Sequence, residues 1–299
     1  MKLLISGSSG LIGSELVPFL KERGHRVVRL VRLESQLSDD TLLWNPEHHE
    51  LNPKDFEGFE VVIHLAGENI ASGRWTLEKK KKIKDSRVMG THMLCELFAH
   101  VENPPQLLIS SSAIGYYGNR GNQLNDENSS PGKGFLAEVC AQWEAATEPA
   151  SHKGIRVVTL RTGVVLSPKG GALGKMLLPF KLGLGGVIGS GQQYVSWISM
   201  DDYLGVILHI IGNNSIQGPV NAVAPTPVTN EELTKTLGKV LKRPTIFPLP
   251  TFAAKFLAGE MADEMLLSST RVSPEKLIET GYTFLYPELE RALRHLLEK

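Results

Sequence analysis

Three glycines, Gly7, Gly10 and Gly13, stand three residues apart directly after the apolar run Leu3-Leu4-Ile5. The string reads Ser6-Gly7-Ser8-Ser9-Gly10-Leu11-Ile12-Gly13. A helical pattern then runs from Ser14 to Lys21, with Leu16, Phe19 and Leu20 on one face. Gly24 ends that helix, and Arg26–Val31 reads as a second strand. A short, wholly apolar first strand suits burial on both faces of a parallel sheet. The strand–turn–helix–strand order is what gives the glycine spacing its meaning. Gly7 permits a tight turn, Gly10 lets the backbone approach a ligand, and Gly13 lets the helix lie close to the strand. The free N–H groups at the helix start then suit a pyrophosphate. The expectation is a dinucleotide held on the turn from Gly7 through Ser8, Ser9, Gly10, Leu11 and Ile12 to Gly13.

The end of the second strand bears on which dinucleotide. A site for NAD usually carries an acid there to bind the ribose 2′-hydroxyl. Here the residues are Val31-Arg32. Arg32 is either a solvated surface side chain or a planar cation suited to a 2′-phosphate. The second reading points to NADP. Further along, 60–67 reads as a buried strand ending in the small residues Ala66 and Gly67. Residues 74–98 read as a helix with a solvated lysine-rich start, broken by Asn103-Pro104-Pro105. Leu107–Ile109 reads as a strand, 135–147 as a helix and 155–160 as another strand. This alternation predicts an α/β fold, a Rossmann-type doubly wound parallel sheet.

The chain has 299 residues, of which 41% are hydrophobic and 21% charged, so a folded protein is expected. Lys+Arg and Asp+Glu both total 32. A formal net charge of zero gives no reason to expect capture by nucleic acid or an anionic membrane. No apolar run reaches the roughly 20 residues of a membrane span. Cys95 and Cys140 lack metal-ligand spacing and read as reduced, buried thiols; no metal site is expected. A cytoplasmic setting is the simplest expectation.

Several strings carry a resemblance: Gly7-x-x-Gly10-x-x-Gly13, His64-Leu65-Ala66-Gly67, Val88-Met89-Gly90-Thr91, the serine-rich strand end before Tyr117-Gly118, and Trp197-Ile198-Ser199-Met200-Asp201-Asp202. With them the chain resembles the extended short-chain dehydrogenase/reductase superfamily over nearly its whole length. More narrowly it is similar to the atypical subgroup called epimerase family proteins. The narrower strings are Gly67-Glu68-Asn69-Ile70, Arg74-Trp75, Ser86-Arg87, residues 135–140, residues 177–186, and Gly189-Ser190-Gly191. The resemblance implies NADP (NADPH) as cofactor, an epimerase or oxidoreductase type of chemistry, and a small polar substrate such as a nucleotide sugar. It also implies a homodimer of the kind extended members often form. It places Leu65, Ala66, Gly67, Glu68, Arg87, Thr162 and Gly163 at the cofactor.

One implied feature is missing. The superfamily's chemistry usually rests on a serine or threonine with a Tyr-x-x-x-Lys pair, which moves a proton while the nicotinamide moves a hydride. Ser112 matches the serine. The tyrosine position aligns with Phe135 and the lysine position with Val139, and neither carries a proton. Tyr116, Tyr117, Lys133 and Glu68 are the nearby alternatives, with Ser112 and Tyr117 the candidate catalytic pair. A non-catalytic NADP-binding sensor or scaffold is the rival expectation.

Residues 1–165 are expected to bind the cofactor. Residues 166–299 are expected to form a smaller α+β substrate region, interleaved with the first, and a C-terminal extension. Met176, Leu177, Phe180 and Leu182, with 183–191, suggest an apolar wall over the nicotinamide. Gln193, Tyr194 and Trp197 suggest a pocket lining. Residues 221–227 read as a strand leading to a turn, 229–232 as a helix start, 261–267 as a helix and 287–297 as a terminal helix.

Overall fold

The structure, a computed structural model, describes residues 1–45 and 52–298. Its first half runs β1 (Lys2–Ser6), α1 (Leu11–Lys21), β2 (Arg26–Val31), β3 (Thr41–Leu43), β4 (Val61–His64), α2 (Leu77–His100), β5 (Leu107–Ala113), β6 (Leu124–Asn125), α3 (Phe135–Ala145), α4 (Glu148–His152) and β7 (Arg156–Thr162). The second half runs β8 (Val164–Leu166), α5 (Gly171–Lys181), β9 (Tyr194–Val195), β10 (Trp197–Ser199), α6 (Met200–Gly212), β11 (Gly218–Ala222), β12 (Val228–Thr229), α7 (Asn230–Leu241), α8 (Thr251–Ala258), β13 (Arg271–Val272), α9 (Glu275–Glu279) and α10 (Leu289–Leu297).

Seven strands form one parallel sheet in the order β11-β7-β5-β4-β1-β2-β3. The alternation of side chains along each strand sorts the core into two layers. Leu3, Ile5, Ile63 and Ile109 face α1 and α6, where Leu16, Leu20 and Ile207 meet them. Leu4, Val62 and Leu108 face α2, where Leu94 and Phe98 meet them. With both faces covered, the central strands β1, β4 and β5 are apolar through Leu3–Ile5, Val61–Ile63 and Leu107–Ile109, and turn polar at Ser6, His64 and Ser110. The seventh strand comes from the second half of the chain, so that half completes the sheet.

The rest of the second half packs around a separate core of Trp197, Phe180, Leu233, Leu237 and Leu293. Three two-stranded ladders hold it together: β10 with β8, β12 with β9, and β13 with β6. The last ties the C-terminal segment back to the loop after β5. Thr229 opens α7 with a reciprocal capping box, its hydroxyl accepting from Glu232 N–H at 3.2 Å.

Several expectations shift here. The strand β3 has only three residues, too few to show a period in the sequence. The strand expected at 221–227 lies at Gly218–Ala222. The expected helix at 261–267 is a single π-helical turn, Ala262–Leu266. The long helix begins at Leu77, capped by Thr76, and not at Arg74. Trp197 and Gln193 are spent on the interior rather than on a pocket. Trp197 is fully buried and donates to Thr226 O at 3.0 Å, and Gln193 donates to Ile188 O and Leu266 O. In the proposed apolar wall, Phe180 is buried in the second core. Residues 185–189 lie against 247–249 through Phe247 N–H to Gly185 O and Gly189 N–H to Leu249 O. Cys95 and Cys140 are free and buried, and burial pushes each thiol up to about 12.

Candidate functional site

The strand order reverses direction at β1, which pairs with both β2 and β4. In a parallel sheet the crevice beyond the strand ends at such a switch point is the usual place for a ligand. The glycine turn sits there. Gly7 has φ +68°, which favours glycine, and a Cβ on it would stand 2.7 Å from the Leu65 carbonyl carbon. A Cβ on Gly13 would stand 2.3 Å from Gly7 O and 2.6 Å from Ser8 Cα. Both glycines are therefore demanded by backbone contact. The turn closes with Gly10 N–H to Gly7 O at 3.0 Å. Gly10 caps α1 without a side-chain bond, so the first N–H groups of the helix remain for a ligand. This cradle fits a pyrophosphate.

Ser6, one residue before the turn, anchors it. Its hydroxyl oxygen accepts N–H from Leu65 at 3.1 Å and from Ala66 at 3.2 Å, and pairs with His64 Nδ1 at 2.6 Å. Because that oxygen accepts twice, its own proton goes to His64. The ring proton then lies on Nε2, which has no partner among the described residues. Burial holds the His64 imidazole down at about 4, so the ring is neutral.

The flanks of the crevice carry charge. Arg32 is exposed at the end of β2. Glu68 follows the small residues after β4, and its backbone N–H donates to Ser86 at 3.0 Å. A hydrogen bond from Lys79 holds the Glu68 carboxyl below its ordinary value, with further help from the charge of Arg32. Lys79 and Lys80 are thus engaged with Glu68 and Glu260 rather than simply solvated. Arg87 reaches the same place from α2. Its guanidinium donates to Glu68 O and Ile83 O, both at 3.0 Å, and lies 3.2 Å from where a Gly67 Cβ would be. Burial lowers its pKa, with Cys140 and Glu68 opposing the shift. Among the described residues no carboxylate pairs with it directly, which suits a cation waiting for an anionic or hydroxylic ligand. Thr162 ends β7 with its hydroxyl on Leu160 O and Tyr203. Gly163 lies so close to Ser196 O that a Cβ would sit 2.7 Å from it.

Ser112, near the end of β5, donates its hydroxyl proton to Glu144 at 2.7 Å. Glu144 is clamped from the other side by Arg161, Nε at 2.8 Å and Nη2 at 2.9 Å. Burial opposes the Arg161 charge, but Glu144 and Tyr117 outweigh it and raise the guanidinium above its ordinary value. Arg161 also donates to the Tyr117 hydroxyl at 3.0 Å and stacks under the Tyr116 ring at 3.5 Å. Tyr117 in turn donates to Asn221 at 2.7 Å and is fully buried. Burial pushes its hydroxyl up to about 12, with Arg161 opposing. Tyr117, expected beside the cofactor as a proton-transfer group, is therefore an internal strut, because both sides of its hydroxyl are occupied inside the protein.

The positions that the resemblance assigns to tyrosine and lysine begin α3. Phe135 stacks edge-on against Trp75, centroids 5.4 Å apart, with Lys80 Nζ 4.5 Å from its ring. Val139 is buried. Lys133 is exposed in the preceding loop. Sequence reasoning overlooked Glu264, which crosses from the C-terminal segment to α3. Its two oxygens accept N–H from Phe135 and Leu136, both at 3.2 Å. It supplies the cap that Gly134 cannot. Glu144 and Arg161 were overlooked too. The signal for them was an arginine inside an apolar strand, Leu160-Arg161-Thr162, which demands a buried carboxylate.

A doubly wound parallel sheet with a glycine turn at its switch point, an arginine beside it and a serine on the neighbouring strand defines a dinucleotide-binding protein of the extended short-chain dehydrogenase type. The chain belongs to the NAD dependent epimerase/dehydratase family, whose model matches residues 3–222. Residues 249–296 match a domain of unknown function. The epimerase family protein Mb2239 of Mycobacterium bovis is 44% identical, over 97% of this chain and 95% of that protein. The human epimerase family protein SDR39U1, in a crystal structure with NADPH, superposes with a TM-score of 0.91 at 33% identity, covering all of both chains. A UDP-glucose 4-epimerase from Thermotoga maritima, solved with UDP-glucose, shares the fold at a TM-score of 0.77 and 21% identity, over 100% of this chain and 98% of that one.

Proposed function

We propose that this protein binds NADPH across the crevice between β1 and β4 and acts with it on a hydroxyl or carbonyl of a small polar substrate. The carrying observation is the glycine turn at the switch point, where Gly7 and Gly13 leave no room for a Cβ. Arg32 supports the 2′-phosphate form, since the strand end carries a cation where an NAD site carries an acid. NADPH solved with the human relative supports the same choice. Bound there, the nicotinamide would supply or accept hydride. Thr162, Gly163, Leu65, Ala66 and Gly67 would line its place, and Arg87 would meet the cofactor from α2.

The chain's own contribution centres on Ser112. Ser112 is buried and its proton is committed to Glu144, so any further hydrogen bond to its oxygen would be one that it accepts. A substrate hydroxyl, which donates, suits that oxygen better than a ketone. A nucleotide sugar is the substrate class the fold relatives suggest, by analogy alone. A second reading, an NADPH-dependent sensor without turnover, is favoured by Phe135, Val139 and the enclosed Tyr117, which offer no proton-transfer group.

Titrating the protein with NADPH and NADH tests the cofactor. NADPH should bind more tightly, and Arg32→Glu should remove the difference. Equal affinity, or none, sinks the reading. A panel of nucleotide sugars and simple hydroxy and keto compounds, followed by nicotinamide absorbance and product analysis, separates enzyme from sensor. Turnover that Ser112→Ala abolishes supports the enzyme.

A further inference from the structure

One surface of the molecule is built against the usual rule. A surface helix turns its large apolar residues inward. Helix α8 does the reverse. It buries Ala254 and Ala258 against a small cluster that includes Ile188 and Leu249. It then turns Phe252 and Phe256 outward, each 76% exposed. The adjoining segments continue the pattern. Residues 185–189 run beside 247–249 through backbone bonds, and Arg243 Nε reaches Lys181 O at 2.9 Å. Leu182, Leu184, Ile246 and Phe247 on these segments are all exposed. Adjoining segments that together expose this much apolar surface mark a place where something else binds.

The charge of the same region identifies what. Residues 168–191 contain three lysines and no aspartate or glutamate, whereas residues 230–264 set four lysines and an arginine against Glu231, Glu232, Glu260, Asp263 and Glu264. The formal net charge of zero is therefore a sum over an uneven surface. Four of these cations are neutralised by ion pairs, Lys169 with Glu15, Lys235 with Glu231, Lys239 with Glu290 and Lys255 with Asp263. Lys175 and Arg243 reach only backbone carbonyls, of Ala71 and of Lys181 and Lys242. Lys181 and Lys242 make no ion pair among the described residues. Lys181, Lys242 and Arg243 stand together at the edge of Leu182, through the Arg243 bond to Lys181 O.

We propose that this face seats the protein on the surface of an anionic lipid bilayer. Phe252, Phe256 and Ile246 enter the boundary between headgroups and acyl chains, and the unpaired cations face the anionic headgroups. A second copy of the chain is a poorer occupant, because it would set cations against cations. The seating is peripheral, since no helix among the described residues is long and apolar enough to cross a membrane.

Co-sedimentation of the whole protein with vesicles tests this. Vesicles of phosphatidylcholine with phosphatidylserine should carry the protein down, and phosphatidylcholine alone should carry down much less. Added salt should weaken the binding. Phe252→Ser and Phe256→Ser should each lower the affinity roughly tenfold. Lys181→Glu with Lys242→Glu should lower binding to the anionic vesicles only. Because these side chains are exposed, every variant should keep its melting temperature and its NADPH affinity, which separates loss of the surface from loss of the fold. No binding to anionic vesicles overturns the proposal, and so does equal, salt-independent binding to both. A dimer in light scattering that Phe256→Ser dissociates also overturns it, in favour of an interface between two copies.

Discussion

Replacing Glu144 with alanine isolates the cost of the charge beneath Ser112. Arg161 has 4% of its side chain exposed and Glu144 14%, so the pair is screened from water on almost every side. Removing the carboxylate leaves the guanidinium with the Tyr117 hydroxyl, the Glu127 carbonyl and the Tyr116 ring, none of which carries negative charge. Breaking a buried pair from one side costs about 3–5 kcal/mol, more than the pair itself contributes. An unfolding entropy of roughly 2.1 cal/mol/K per residue over this chain makes that a fall of about 5–8 °C in melting temperature. Ser112→Ala removes only one hydrogen bond and leaves Glu144 held by Arg161, so it should cost about 1 kcal/mol. The double variant Glu144→Leu with Arg161→Leu removes both charges and should recover much of the loss of Glu144→Ala. Thermal and urea unfolding of the four proteins form the assay. If Glu144→Ala loses no more than Ser112→Ala, or the double variant is worse than the single by the full amount, the pair is not the buried unit described.

Three further outcomes follow from other parts of the site. His64 titrates near 4 in the folded protein against an ordinary 6.5, so the unfolded chain binds the extra proton first as pH falls. Stability should therefore drop between about pH 6.5 and 4 by roughly 3 kcal/mol from this group, and urea unfolding of His64→Gln should lack that part of the slope. Gly13→Ala forces a Cβ to 2.3 Å from Gly7 O, so it should abolish NADPH binding in a nicotinamide fluorescence titration. Glu264→Ala uncaps α3 and should cost about 1 kcal/mol, with faster amide exchange at Phe135 and Leu136 as its local signature.

How much of this was legible in the sequence depends on the range of the interaction. The cradle was legible, because a turn, a helix start and a strand are set by residues within a few positions of one another. The spacing of Gly7, Gly10 and Gly13 assigns each a separate task, and Gly7 and Gly13 meet backbone where that assignment expects it. The capped start of α7 at Thr229 was legible for the same reason. The proton-handling side was not. Whether Tyr117 faces a ligand or the interior turns on Asn221 and Arg161, which lie 104 and 44 positions away. Glu264 reaches α3 across 129 positions, and no local pattern announces it.

Under the proposed function, the chemistry at Ser112 turns on a distant partner in the same way, since Glu144, 32 positions along the chain, takes its proton. A serine whose proton were free could polarise a ketone. With Glu144 beside it, held by Arg161, the proton is taken and the oxygen is left as an acceptor, which under the proposed function would favour an alcohol. The sequence supplied the serine, and the fold decided which way its proton points. If Glu144→Gln turned the hydroxyl round, the preference should move from hydroxyl toward carbonyl compounds in binding competition. An unchanged preference would mean that Ser112 does not touch the substrate at all.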